Sequence, residues 1–271
     1  MSSPTHRSTH PWLTLVGLAL GVYGLTQALL QIPFGALSDR FGRKPVITAG
    51  LLLMFAGSLV AAGAETLGGI AFGRALQGAG AVSAAISALV ADCTRDSQRS
   101  KAMALVGAMI GLSYAVSLVA APLLYAVAGL SGIFLLTAAM ALTAIGILWW
   151  LVPAVPAAPS RPAWVPLRRV LDGDLMRLNL GIFVLHLTQM AIFVAVPSRL
   201  VNLAGLPLAE HWKLYLPIVV ASFAVMMPPL NRAERTGQVR GLFLVSIAVL
   251  GASHLGLAIL PPSIAALSVL L

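Results

Sequence analysis

Charge is what this sequence has least of. Only 9% of its residues are Asp, Glu, Lys or Arg, where an ordinary soluble domain has about 25%. So few charges cannot coat a surface in contact with water, which excludes a soluble globular domain. Cysteine is almost absent too. The single Cys93 excludes an internal disulfide framework, and in a polar loop it reads as an ordinary free thiol. Acids are scarcer than bases. All eight (Asp39, Glu65, Asp92, Asp96, Asp172, Asp174, Glu210 and Glu234) lie in loops or at the ends of apolar runs. No Glu-x-x-His metal motif, no Gly-x-Ser-x-Gly elbow and no phosphate-binding glycine loop occurs. An enzyme therefore finds no support, and neither a metal nor an organic cofactor is expected.

Long apolar runs fill the space that charge leaves. Uncharged stretches cover residues 12–38, 45–64, 75–91, 102–160, 178–198, 214–231 and 241–271. A helix needs about 20 apolar residues to cross a bilayer, and backbone polar groups in lipid must be satisfied within the segment, so each run is read as a helix. The stretch 102–160 has room for two spans around a turn at Ala128-Gly129-Leu130-Ser131-Gly132. The pattern predicts an all-α membrane protein with eight complete spans, at 12–34, 46–64, 67–91, 102–126, 130–153, 178–200, 212–231 and 241–260. Residues 264–271 begin a ninth. The first apolar segment is too long for a secretory signal peptide.

Basic residues show which ends of the spans share a side. Thirteen of the 17 fall in alternate gaps: Arg40, Arg43, Lys44, Arg95, Arg99, Lys101, Arg161, Arg168, Arg169, Arg177, Arg232, Arg235 and Arg240. Positive residues stay on the cytoplasmic side, so these gaps are expected inside the cell and the tail 1–11 outside it. The net charge of +9 then follows from topology and needs no nucleic-acid partner. The organisation expected is the tail 1–11, a helical bundle 12–153, a cytoplasmic linker 154–177 and a second bundle 178–271. The linker starts proline-rich and then reads Trp164-Val165-Pro166-Leu167-Arg168-Arg169-Val170-Leu171, which fits a short basic helix at the membrane surface.

The two bundles carry one short repeat. Asp39-Arg40-Phe41-Gly42-Arg43-Lys44 and Glu234-Arg235-Thr236-Gly237-Gln238-Val239-Arg240 both read acid-Arg-x-Gly followed by a base. Each follows an apolar span on the expected cytoplasmic side. Tandem halves are common in transporters. Aligning the halves on these corners implies a six-plus-six parent, of which this chain would lack the first span and most of the last three.

Gly35-x-x-x-Asp39-Arg40-x-Gly42-Arg43-Lys44 resembles the signature loop of the major facilitator superfamily, which joins the second and third spans there. Arg74-Ala75-Leu76-Gln77-Gly78-Ala79-Gly80 resembles that family's fourth-span motif. Tyr23-Gly24-Leu25-Thr26-Gln27 and Glu210-His211-Trp212-Lys213 are similar to its YajR-type branch of proton-driven efflux transporters. Ala121-Pro122 keeps the proline but not the glycine of the family's antiporter motif. The resemblance implies a multi-pass transporter in the cytoplasmic (inner) membrane, in contact with the lipid bilayer. It would exchange a small-molecule substrate for protons by alternating access. The other possibility is a non-transporting truncated fragment of such a protein.

The resemblance also implies roles. Asp39 would cap a helix of the other half, and Arg43 would pair with Asp92, so that Gly35, Asp39, Arg40, Gly42, Arg43, Lys44 and Asp92 form a cytoplasmic latch. The other possibility is a corner that only anchors topology. Gly35 and Gly42 suit places where a side chain would collide. Arg74 is the one basic residue well inside a span, and Gln77 shares its helix face. The pair either lines a cavity or lets Arg74 snorkel outward. Tyr23, Gln27 and Gln31 share the first span, and His186 and Gln189 share the span 178–200. Each group either lines a substrate or proton pathway or bonds a neighbouring helix. His254 reads as structural.

Overall fold

A computed structural model describes residues 11–80, 82–153, 172–202, 205–207 and 210–259. All regular structure among the described residues is helical. The helices are α1 (Pro11–Phe41), α2 (Arg43–Ala62), α3 (Leu67–Ala79), α4 (Ser83–Asp92), α5 (Arg99–Trp150), α6 (Gly173–Asn202), α7 (Trp212–Thr236) and α8 (Val239–Ile259), with a short 3₁₀ turn at Asp96–Gln98. Seven stretches among the described residues are long and apolar enough to cross a bilayer, and Lys101–Trp150, at 50 residues, has the length for two. Leu29, Ile32, Ile110, Val225 and Leu255 lie more than half exposed. In water so much bare hydrocarbon would drive aggregation; in lipid it is the expected outer surface. The chain is an all-α membrane protein.

Two compact units make up the chain. One comprises Met1–Gly111 and Leu123–Asp172, the other Leu112–Pro122 and Gly173–Leu271. Leu112–Pro122, in the middle of α5, belongs to the second unit. The proposed surface helix 164–171 and the start of a ninth span lie outside the described residues.

In the first unit, α3 packs against both α1 and α2 through glycine. A Cβ added to Gly57 would stand 2.6 Å from the Gly73 carbonyl oxygen, and one added to Gly73 would stand 2.7 Å from that of Gly57. Apolar burial drives little helix association in lipid, so close backbone contact takes its place. An apolar cluster of Ile47, Leu51, Val82, Ala85, Leu89 and Leu148 binds α2, α4 and the end of α5. In the second unit, Val196 and Leu200 of α6 pack with Leu214, Tyr215 and Leu257 of α7 and α8.

The element ends can be set against the expected spans place by place. The expected gap 35–45 is helix except at Gly42, which separates α1 from α2 with φ 91°. Nothing before Gly42 breaks the helix, and Pro45 falls in the first turn of α2, where proline is tolerated. The expected span 67–91 corresponds to one bilayer-length stretch, Leu67–Asp92, within which Gly80 closes α3. The expected turn 128–132 narrows to Gly129, whose φ of 62° and ψ of −164° are the only non-helical values within α5. Finally, α6 begins at Gly173, inside the expected linker, and α7 runs on to Thr236. Helices outlast their apolar runs because a charged helix end costs little once it clears the lipid.

The sequence repeat has a backbone counterpart. Gly237 follows the last residue of α7 with φ 70°, as Gly42 follows the last residue of α1. The Gln238 amide donates to the Ala233 carbonyl at 3.0 Å, the long-range bond of a Schellman-type helix end. Both units therefore place glycine at a helix–helix corner that an L side chain would strain.

Candidate functional site

The charged corner between α1 and α2 gathers most of the residues expected there. Arg43 lies between two acids: its guanidinium stands 2.5 Å from Asp39 Oδ1 and 2.9 Å from Asp92 Oδ2. Arg43 also donates to Ser38 Oγ at 2.7 Å, and that hydroxyl donates to the Gly35 carbonyl at 2.7 Å. Asp39 and Arg43 are four residues apart across the corner, while Asp92 comes from the end of α4. The two helix ends thus meet on one side of the unit, as alternation of the spans requires.

Lys44 points the other way. Its ammonium donates to the Val152 carbonyl at 2.6 Å and lies 5.6 Å from the centre of the Trp149 ring. Val152 lies two residues past the end of α5, so the ammonium also sits where a cation complements the helix dipole. Trp149 Nε1 donates to Thr48 Oγ1 at 2.9 Å, which fixes the ring. The exposed Arg40 stands over the Phe41 ring at 5.3 Å. At Gly35 the expected collision is absent: an added Cβ would meet Ala84 Cβ at 3.7 Å, an ordinary contact. α4 offers only a methyl there.

A second polar group lies inside the spans. Arg74 Nη1 donates to Gln77 Oε1 at 2.8 Å, and Gln77 Nε2 donates to Ser58 Oγ at 2.7 Å. The Ser58 hydroxyl passes its own hydrogen to the Met54 carbonyl at 2.7 Å. The Arg74 guanidinium stacks on Tyr23, 4.2 Å from the ring centre, a cation–π distance. Three helices thus supply one chain of partners: Tyr23 from α1, Ser58 from α2, and Arg74 and Gln77 from α3. Gly78, next to Gln77, lets α3 close on the Tyr23 carbonyl and Thr26 Oγ1, where an added Cβ would overlap both. Gln77 is 3% exposed, so its amide depends wholly on these partners.

Of the other residues expected on a pathway, Gln31 keeps its Oε1 buried with no hydrogen-bond partner among the described residues. Gln27 lies one turn before it on α1, half-buried. His186 and Gln189 belong to α6 in the second unit, and both are exposed. His186 Nδ1 stands 3.0 Å from the Ile182 carbonyl, within its own helix. No group of three or more metal-ligating side chains occurs among the described residues.

Sequence reasoning missed four contributors: Ser38, Thr48, Ser58 and Trp149. Serine and threonine in a span ordinarily bond back to their own helix, so their spacing carries no signal of a partner on another helix. Ser58 does bond its own helix, and it accepts from Gln77 as well.

Residues 4–271 match the profile of the Major Facilitator Superfamily. The inner membrane transport protein YajR of Escherichia coli (strain K12) is 42% identical over 241 residues, which cover 87% of this chain and 53% of that protein. An uncharacterized transporter of Buchnera aphidicola subsp. Schizaphis graminum is 36% identical over 77% of this chain and 54% of its own length. The multidrug resistance protein MdtH of Proteus mirabilis (strain HI4320) is 31% identical over 89% of this chain and 62% of its own length. The chain spans about half the length of the first curated relatives it matches.

Proposed function

The chain belongs to the major facilitator superfamily, and from that premise we propose that it acts in secondary transport, exporting a small organic molecule against proton entry across the cytoplasmic (inner) membrane. The observation that carries this reading is Arg43 held between Asp39 and Asp92. A guanidinium shared by two acids can release one and keep the other, which suits a corner that must open and close. Alternating access would rock one half against the other around a central site. In that cycle the corner is the cytoplasmic latch. Arg43 ties the corner, with Asp39, to α4. An exposed ion pair is worth about 0.2–1 kcal/mol. A change of about 1 kcal/mol shifts two conformations about fivefold relative to each other, so a latch of this strength can bias which side is open.

Export is the direction supported by the name of the multidrug resistance relative, and the inner membrane is the site named for YajR. Proton coupling needs a titratable group within reach of the pathway. No acid lies mid-span, so among the described residues the candidates for that part are His186 and Asp92 at the end of α4. To the pathway we assign Tyr23, Gln27, Gln31, Arg74 and Gln77 of the first unit and, separately, Gln189 of the second.

Reconstitution of the 271-residue chain into liposomes with a trapped pH-sensitive dye tests the proposal, with ethidium as probe. Ethidium addition should alter the internal pH trace beyond that of empty liposomes, and Asp39→Asn should reduce the change several-fold. A trace identical to that of empty liposomes would overturn the proposal.

A further inference from the structure

The polar group inside the first unit has one unbalanced feature. Arg74 is a permanent cation, since its guanidinium does not give up its proton at any physiological pH. None of the ion pairs among the described residues involves it. Its partners are the Tyr23 ring and the Gln77 amide oxygen, both uncharged. No Asp or Glu falls mid-span anywhere in the sequence. Charged groups at membrane depth are normally paired or face water.

Snorkelling does not account for the arrangement. Helical side chains lean toward the N-terminus of their helix, and in the bilayer-length stretch Leu67–Asp92 that is the end nearer to Arg74. Arg74 instead reaches toward the C-terminus, to Gln77, with its guanidinium carbon 4.2 Å from the centre of the Tyr23 ring of α1. Both contacts hold it away from the nearer interface. Gln77 is fixed in turn by Ser58, because its Nε2 is already committed as a donor to that hydroxyl. One guanidinium nitrogen is used by Gln77. The fork geometry of the remaining N–H groups matches a carboxylate, which can accept two parallel hydrogen bonds.

We propose that Arg74, stacked on Tyr23 and steadied by the Gln77–Ser58 pair, receives the carboxylate of a small organic anion, and that this anion is the class of solute the chain moves. The inference rests on the transport reading for its second clause only; binding at Arg74 stands by itself. The anion supplies the counter-charge that the spans lack. An aromatic acid suits the site best, because the Tyr23 ring already flanks the cation and offers an apolar face beside it.

The test uses the purified 271-residue chain in lipid nanodiscs and follows its thermal midpoint. The probes are sodium benzoate, the neutral isostere benzamide, and sodium chloride at equal ionic strength. Benzoate should raise the midpoint in a saturable way, while benzamide and chloride should not. Equal shifts from benzoate and benzamide would mean an apolar pocket, and equal shifts from benzoate and chloride an inorganic-anion site. Either result overturns the proposal, as does no shift with benzoate. Arg74→Gln should abolish the response. Because that variant loses the stacking as well, Gln77→Glu serves as the second arm. It places a carboxylate beside Arg74, supplies the counter-charge internally, and should leave a folded protein that no longer responds to benzoate. A Gln77→Glu protein that responds like the parent would also sink the proposal. Benzoate binding with neither ethidium-linked nor benzoate-linked change of internal pH beyond that of empty liposomes would count against the transport reading alone. Proton flux without benzoate binding would count against this inference alone.

Discussion

Arg43 Nε stands 2.9 Å from Asp92 Oδ2, joining residues that are 49 apart in sequence. The Arg43 side chain is 15% exposed and that of Asp92 is 35% exposed, so the pair sits between the surface and buried regimes. Asp39 shares the same guanidinium, and Ser38 fills a further donor position. Losing one acid should therefore loosen the corner without leaving Arg43 unpaired.

Asp92→Asn should cost about 0.2–1 kcal/mol, the range for exposed ion pairs. The expected sign is faster opening at the end of α4. Hydrogen–deuterium exchange of residues 92–98 should accelerate by up to about fivefold, the factor that corresponds to about 1 kcal/mol. Unchanged exchange there would show that the pair carries no load.

Ser58→Ala should be more damaging than its size suggests. It leaves Gln77 Nε2, in a residue 3% exposed, without its acceptor. A buried donor left unsatisfied costs about 1–3 kcal/mol. Ser58→Ala combined with Gln77→Leu removes both partners and should recover part of that loss. The thermal midpoints of the single and double variants in detergent check the ordering.

Gly78→Ala should destabilise the contact between α1 and α3. The added methyl would overlap the Tyr23 carbonyl and Thr26 Oγ1, and overpacking of this kind costs about 1–3 kcal/mol. Gly24→Ala on α1 is the control, because nothing lies within 4 Å of its added Cβ. Detergent unfolding should separate the two variants clearly. If both behave alike, the close approach of the two helices is wrong.

Gly129→Ala should weaken the break in α5. Gly129 has φ 62° and ψ −164°, a region open almost only to glycine, and other residues held there cost about 1–3 kcal/mol. Gly107→Ala, in the same helix with nothing within 4 Å of the new Cβ, should be neutral or stabilising, since alanine favours helix over glycine by about 1 kcal/mol. Paired thermal midpoints measure the difference.

By itself the sequence determined the membrane class, the helical content and the alternation of sides. Bilayer thickness sets a minimum apolar length, lipid forbids unpaired backbone, and basic residues resist translocation; each of these rules acts on composition and needs no knowledge of neighbours. The corner residues Asp39, Gly42 and Arg43 were legible through their motif, and the partner Asp92 through what the family resemblance implies. Tertiary structure alone decided where the helices end, because capping and close packing set those boundaries: Gly42 reduces an eleven-residue gap to one non-helical residue, and Gly129 does the same for an expected turn. It alone joined Ser58 to Gln77, Lys44 to Val152 and Tyr23 to Arg74. A hydroxyl, a carbonyl or a ring becomes a partner only when another helix brings a complementary group within about 3–6 Å, and no spacing along a single helix records that approach.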